Sequence, residues 1–211
     1  LCLIDNGIDD EGVDILVAGG TPTNLSSLDL SNNSNISARG SKSLASILEY
    51  PNCNLDRLYL RHTNIGDEGA LIFANALANN RKLKDLDLES NGITHVGCRS
   101  LAVLLGNPNS NLEQIDLRKN IIGDEGALVL AKGLASNFKL ECLHLQHTGI
   151  TEEGLLAFEK ILCDTSSINK TFLSNHILES LGSWVPNAPA YVRDLLILNR
   201  SSEDKTQVAI K

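Results

Sequence analysis

The amino-acid sequence predicts an α/β solenoid, a horseshoe with a parallel β-sheet on its concave side and helices on its convex side. One observation is a phrase of the form L-x-x-L-x-L that returns every 28 to 30 residues. The other is an apolar helical pattern after each copy. Units of this length stack so that each contacts its neighbours. The copies open at Leu25, Leu55, Leu83, Leu112 and Leu140, and a degenerate copy is predicted to open at Ile168.

Each leucine phrase is predicted to form a short strand. Its leucines point into the core and the residues between them point outward, because successive side chains of a strand lie on opposite faces. Strands of successive repeats then pair in parallel about 4.8 Å apart. The residue three positions after the last leucine is expected to satisfy backbone groups of the turn. It is asparagine or threonine at Asn6, Asn33, Thr63, Asn91, Asn120 and Thr148.

The second half of each repeat is predicted to be a helix. A glycine-containing acidic segment, GDEG, follows Ile65 and Ile122, and acidic residues in a first turn complement the helix dipole. The glycine four residues after the isoleucine is expected where helix and strand backbones approach too closely for a Cβ. The predicted N-caps are Ser37, Thr94 and Thr151.

Two regions are predicted along the chain. Residues 1–176 form the repeat array, about six to seven repeats with the first one truncated, and residues 177–211 form a helical C-terminal cap. The capping helix is expected after Pro189, with a docking helix for a partner as the alternative. Since the chain opens inside a leucine phrase and contains no methionine, it is expected to be a fragment of a longer protein.

Full-length 28–29-residue repeats with GDEGA-type helix starts resemble the ribonuclease-inhibitor class of leucine-rich repeats. That class includes ribonuclease inhibitor, the sensor domains of nucleotide-binding immune receptors and Ran GTPase-activating protein. The resemblance extends over roughly residues 1–173 and implies the horseshoe fold. It does not imply one activity, because many functions use this fold.

Charge and cysteine content narrow the classes of partner. The net charge of −8 argues against nucleic acid and favours a protein partner with a basic contact patch. No apolar run reaches the ~18 residues that a membrane span needs, so membrane insertion is not predicted. Dispersed thiols without a C-x-x-C pair indicate a reducing compartment, cytoplasmic or nuclear. They are Cys2, Cys53, Cys98, Cys142 and Cys163.

The strand register places the outward residues in columns on the concave face. The predicted middle column is Cys2, Asp29, Tyr59, Asp87, Asp116, His144 and Phe172. The column before it is Ser27, Arg57, Asp85, Gln114, Cys142 and Lys170. The column after it contains Arg61, Glu89 and Arg118. The predicted partner-binding residues are Tyr59, Arg61, Asp87, Glu89, Asp116, Arg118, His144 and Phe172.

Two interpretations of these charges remain open. Glu89 lies between Arg61 and Arg118, an arrangement expected for an ion-pair ladder, as is Arg57 beside Asp85. Asp87 and Asp116 are adjacent with no cation predicted between them, so one pKa should rise unless a partner supplies a Lys or Arg. In the alternative interpretation, Asp87 and Asp116 form a solvated acidic patch in which His144 pairs with Asp116.

No metal or cofactor site is predicted. Cys142, His144 and Asp116, with His147 nearby, have suitable ligand types, but a zinc site needs three or four convergent ligands, which a flat open sheet does not favour.

The sequence therefore predicts a non-catalytic protein-interaction module with a concave, acidic-centred surface. It contains no nucleophile–base pair or phosphate-binding glycine loop, and a solenoid lacks the enclosed pocket of most enzymes. One alternative is a GTPase-regulating protein, by resemblance to Ran GTPase-activating protein. The other is a structural or sensor subunit of a larger assembly.

Overall fold

A computed structural model describes residues 1–19, 25–162, 175, 177–181 and 190–201. Strands and helices alternate along the chain from the first helix to the sixth, and a seventh helix follows in the described part of the C-terminal region. The strands are β1 (Ser27–Asp29), β2 (Arg57–Tyr59), β3 (Asp85–Asp87), β4 (Gln114–Asp116) and β5 (Cys142–His144). The helices are α1 (Asp10–Ala18), α2 (Ala38–Glu49), α3 (Gly66–Leu77), α4 (His95–Leu105), α5 (Gly123–Leu134), α6 (Glu152–Leu162) and α7 (Ala190–Ser201).

The five strands form one parallel sheet in the order β1-β2-β3-β4-β5, which confirms the predicted solenoid. The register is also as predicted: Tyr59 pairs with Asp87, Asp87 with Asp116, and Asp116 with His144. Cys2 adds a bridge to Asp29 at the first edge of the sheet. The concave columns therefore exist as rows of neighbouring side chains.

The leucines of each strand and the inner faces of the helices form one continuous core. Leu58, Leu60 and Leu86 are almost fully buried against Phe73 of α3 and the equivalent residues of neighbouring repeats. Each buried leucine or phenylalanine side chain contributes about 1.5–3 kcal/mol. Since every repeat shares this core with the next, the strands are held in one continuous sheet.

The turn asparagines connect neighbouring repeats, as the sequence predicts. The Asn91 side chain donates to the Leu60 carbonyl of the preceding repeat at 2.7 Å and accepts from the Thr63 hydroxyl at 2.6 Å. Its own backbone N–H donates to the Asn120 side chain at 3.0 Å. These bonds satisfy buried backbone groups that the short strands leave unpaired.

In every second repeat, an aspartate at the start of the helix accepts hydrogen bonds from the start of the helix in the next repeat. The carboxylate of Asp67 accepts from the backbone N–H groups of Thr94 and Gly97, at 2.7 and 2.9 Å, and from the Thr94 hydroxyl at 2.8 Å. Asp10 and Asp124 do the same for the helices that follow Ser37 and Thr151. The predicted N-caps Ser37, Thr94 and Thr151 accept from backbone N–H groups two residues on.

The glycine four residues after the isoleucine of each repeat is required for a different reason from the predicted one. A Cβ on Gly97 would lie 2.8 Å from the Ile93 side chain, 2.6 Å from the Asp67 carboxylate and 3.3 Å from the Ala70 side chain. The residue must therefore be small because the isoleucine of its own turn and the start of the preceding helix surround it. The predicted contact with a strand backbone is wrong.

The last repeat opens later than predicted. Cys142 of β5 bridges to Ser180, so Ser180 takes the column position predicted for Lys170. The Asn175 side chain accepts from the backbone N–H groups of residues 177 and 178, the pattern that Asn137 makes before Leu140. Leu178 is fully buried and is therefore the equivalent of Leu140. Ile168, the predicted opening of this copy, lies outside the described residues.

Helix α7 lies against this last repeat, and its role as a C-terminal cap stays a prediction. Val192 is fully buried, and the Asn199 side chain donates to the carbonyls of Asn175 and Leu178 at 3.2 and 2.8 Å. The division between array and cap at residue 176 stays a prediction. No helix in the described part of the chain is both long and apolar enough to cross a membrane.

Candidate functional site on the concave sheet

The centre of the concave face is a cluster of charged side chains on β3, β4 and β5 and the turns that follow β2, β3 and β4. We call it the concave cluster; it consists of Arg61, Asp87, Glu89, Asp116, Arg118, Lys119 and His144. The structure brings together six of the eight predicted site residues in it. Tyr59 lies beside it in the middle column, and Phe172 lies outside the described residues.

Glu89 is the common anion of the cluster. Its carboxylate lies 3.1 Å from Arg61 Nε, 3.0 Å from an Arg118 terminal nitrogen and 2.7 Å from Lys119 Nζ. The predicted position of Glu89 between the two arginines is confirmed. Lys119 was not predicted, because it lies in the turn after the strand and not in a concave column. Its one sequence signal is its place directly after Arg118.

Asp87 and Asp116 each have a cation of their own, contrary to the prediction. Arg61 donates to Asp87 at 2.9 Å, and Arg118 Nε contacts both Asp116 carboxylate oxygens at 2.9 and 2.8 Å. The column register alone missed these contacts because an arginine side chain is long enough to reach the adjacent column. The predicted pairing of His144 with Asp116 is present, with 3.4 Å between His144 Nδ1 and Asp116 Oδ2.

The acids of the cluster are buried and the cations are exposed. Asp87, Glu89 and Asp116 retain 6%, 3% and 7% of their accessible surface. The side chains of Arg61, Arg118 and Lys119 are 41%, 34% and 50% exposed. A molecule that approaches the cluster therefore meets guanidinium and ammonium groups before it meets the carboxylates.

The pKa values follow from this burial and pairing. Burial raises the pKa of Asp87, against the lowering effect of the Glu89 backbone N–H and the Arg61 guanidinium. Burial would also raise the pKa of Asp116, but hydrogen bonds from His144 and Arg118 outweigh it and lower this pKa to about 2. Hydrogen bonds to Asp116 and Cys142 raise the pKa of His144 to about 9, against the effect of burial. Asp116 is thus ionised and His144 protonated at neutral pH.

Tyr59 is held beside the cluster by a second pair. Its hydroxyl donates to the Asp85 carboxylate at 3.0 Å. Burial and this bond raise the pKa of Tyr59 to about 12, so the phenol remains a donor over the physiological range. Arg57 lies next to Asp85 in the predicted register, but among the described residues the expected ion pair between them does not form, and the Asp85 carboxylate accepts from Tyr59 instead.

The carboxylates could in principle hold a metal ion. Ligand oxygens of Asp87, Glu89 and Asp116 lie within 4.8 Å of one another. Arg61, Arg118 and Lys119 already neutralise them, however, so the arrangement is that of an ion-pair network. Cys142 and His144, which the sequence singled out as ligand types, do not belong to this group.

The pair formed by His144 and Asp116 makes stability depend on pH in the alkaline range. The folded pKa of His144, about 9, is above the ordinary value of 6.5, so its contribution is complete below about pH 6.5 and is lost as the pH rises through 9. Because the imidazole is partly exposed, we expect its pairing with Asp116 to contribute about 1 kcal/mol to the free energy of unfolding. We expect the difference in unfolding free energy between wild type and His144→Gln to shrink by this amount between pH 7 and pH 10 in urea titrations. A difference that does not change with pH would contradict the assignment.

Comparison with known proteins agrees with this architecture. A family model described as Leucine Rich repeat matches residues 21–45, 52–74, 79–102, 109–131 and 136–158. The chain is 33% identical over 186 residues to human NACHT, LRR and PYD domains-containing protein 3, covering 86% of this chain and 18% of the human protein. It is 30% identical over 196 residues to mouse NACHT, LRR and PYD domains-containing protein 14, covering 93% of this chain and 16% of the mouse protein.

The chain thus spans less than a fifth of the length of these relatives. The family matches fall on five successive strand-and-helix units of the observed sheet, and together they cover more than half of the sequence. The chain belongs to the leucine-rich repeat family.

Proposed function

We propose that the chain is a non-catalytic protein-interaction module that binds a protein partner on its concave sheet. The observation that carries this proposal is the concave cluster, which places oriented, partly exposed cations and the Tyr59 phenol on one open face. Interfaces in proteins are enriched in Arg and Tyr, which combine apolar contact area with directed hydrogen bonds. The eight predicted site residues remain the proposed contact region, with the buried carboxylates positioning the arginines.

The similarity to NACHT, LRR and PYD domains-containing proteins favours one form of this function. The names of those relatives combine a leucine-rich repeat part with two other domains. We propose that this chain likewise acts as a sensor or interaction part of a larger assembly, in the cytoplasm. The GTPase-regulating alternative stays a prediction, and a GTP-hydrolysis assay with small GTPases would test it.

The site residues can be tested by blocking the concave face without breaking the ion pairs. Gln114 is exposed at the start of β4, on the same face as Asp116, and a tryptophan there adds bulk at the centre of the sheet. The control is Val103→Trp on the convex helix α4, where Val103 is 77% exposed. The measurement is affinity capture of partners followed by crosslinking mass spectrometry.

We expect crosslinks on β2 to β5 in wild type and a loss of capture of about tenfold or more in Gln114→Trp, because a misfit at an interface centre disrupts its core contacts. Capture by Val103→Trp should be unchanged. The opposite pattern, with crosslinks on the helices and loss in Val103→Trp, would place the partner on the convex side and reject the proposal.

A further inference from the structure

We propose that Arg61, Arg118 and Lys119 form a docking site for an acidic protein segment, one that presents the carboxylates of Asp or Glu side chains. This inference rests on the proposed function and adds the chemistry of the partner. It reverses the expectation of a basic partner, which assumed that the carboxylates of the concave face point to solvent. The argument has three parts: the free donors of the arginines, their fixed orientation and the local balance of charge.

The guanidinium groups of Arg61 and Arg118 have N–H donors that the carboxylates of the concave cluster do not use. Arg61 and Arg118 contact their carboxylates through Nε and Nη2. In the described part of the chain, their Nη1 groups donate to no acceptor. A guanidinium carries five N–H donors in a fixed plane, and it recognises a carboxylate best when two of them are available side by side. Arg61, whose Nη2 contacts one carboxylate, therefore keeps its Nη1–Nη2 edge for a second carboxylate. Arg118, whose Nη2 contacts both Glu89 and Asp116, keeps the two N–H donors of Nη1.

The buried acids orient these arginines before any partner arrives. Glu89 holds Arg61 and Arg118 from one side, while Asp87 and Asp116 hold them from the other. A free surface arginine loses rotamer freedom when it binds, and this loss weakens the binding. Since the side chains are already fixed here, most of that cost falls on folding and not on binding.

The local charge favours an anion even though the chain is acidic overall. Three carboxylates face three permanent cations, and the protonated His144 adds positive charge. The net charge of −8 repels an acidic segment at a distance, but charges are screened beyond about 8 Å at physiological salt. Contacts at hydrogen-bond distance therefore decide the specificity, and the groups exposed at that distance are cations.

The test uses three labelled peptides of one length, rich in glutamate, glutamine or lysine, and measures binding to the full chain by fluorescence anisotropy. We expect the glutamate peptide to bind at least about tenfold more tightly than the glutamine peptide, because charged hydrogen bonds are about twice as strong as neutral ones. Affinity should fall as salt rises. Equal binding of these two peptides, or preference for the lysine peptide, would overturn the inference. A preference for a phosphoserine peptide over the glutamate peptide would also overturn it.

Variants locate the binding. Arg61→Lys/Arg118→Lys keeps both charges beside the buried acids but removes the planar fork, and we expect about a tenfold loss for the glutamate peptide. The matched control is Arg99→Gln on the convex side, where Arg99 is exposed and pairs with Glu125 at 2.7 Å. Unchanged binding in the double variant, or an equal loss in the control, would contradict the assignment.

A measurement on wild type avoids dependence on the folding of any variant. In nitrogen-15 NMR spectra, the Nε–Hε signals of Arg61 and Arg118 should shift with the glutamate peptide and remain in place with the glutamine peptide. Absence of these shifts at saturating peptide would overturn the inference. The proposed function is separable from it: a natural partner that crosslinks to the concave strands through a basic segment would reject the acidic segment and retain the concave interface.

Discussion

Replacing Glu89 by glutamine is expected to destabilise the fold by about 2 to 3 kcal/mol. The change removes the charge that Arg61, Arg118 and Lys119 share, while glutamine keeps the size of the side chain. Each arginine retains an aspartate, but Lys119 loses its carboxylate partner. Breaking a fully buried ion pair costs about 3–5 kcal/mol, and the expected value is lower because the three cations are partly in water.

Glu113→Gln is the matched control, because Glu113 also pairs with a lysine at 2.7 Å but on the surface. The side chains of Lys84 and Glu113 are 50% and 38% exposed, and exposed pairs of this kind contribute little to stability. Urea unfolding of the wild type and both variants measures the difference without adding salt. Equal losses in the two variants would mean that Glu89 contributes no more than a surface charge.

Glu89→Gln should also change the affinity for the glutamate peptide. The affinity should fall only if the arginines need Glu89 to stay oriented. If the inferred docking site depends on preorganisation, Glu89→Gln weakens the peptide although it adds net positive charge. Simple electrostatics predicts the reverse, since removing an acid should favour an anion. The sign of this change separates orientation from charge as the source of affinity.

The sequence predicted which side chains share a column on the concave face, but it did not predict how deeply the charged side chains are buried. Period and leucine spacing fix the register, so the Asp87–Asp116 neighbours and the position of Glu89 could be predicted. The direction in which a long side chain points could not be predicted, because an arginine side chain is long enough to reach its own column or the adjacent one. Burial of Asp87, Glu89 and Asp116 beneath the arginines therefore appeared only in three dimensions.

The C-terminal end shows a second limit of periodicity. Leu178 continues the array after an interval longer than the other repeats, and a search at a constant period finds Ile168 first. What identifies the true position is Asn175, whose side chain makes the same bonds before Leu178 as Asn137 makes before Leu140. The hydrogen-bonding residue at the start of the phrase was thus a better guide than the leucine spacing.

Replacing Gly133 by alanine is expected to destabilise the array by about 2 kcal/mol, and the cause is a backbone contact between two helices. A Cβ on Gly133 of α5 would lie 2.8 Å from Cα and 3.0 Å from the carbonyl carbon of Ala102 in α4, and closer still to the Ala102 oxygen. Backbone atoms cannot rotate away, so α4 and α5 must separate. Overpacking of this kind costs about 1–3 kcal/mol or more, and the better helix propensity of alanine offsets up to about 1 kcal/mol.

Gly106→Ala is the control, since Gly106 lies at the end of α4 near the same contact. Its backbone is in the ordinary right-handed region with φ of −74°, and a Cβ there would be 3.5 Å or more from its neighbours. We expect a change within about 0.5 kcal/mol in urea unfolding. If Gly133→Ala were as mild as Gly106→Ala, the helices could separate without loss, and the spacing of α4 and α5 would be set by the sheet instead. A large loss would mean that the helix spacing itself limits how α4 and α5 pack, and with it the curvature of the face that carries the concave cluster.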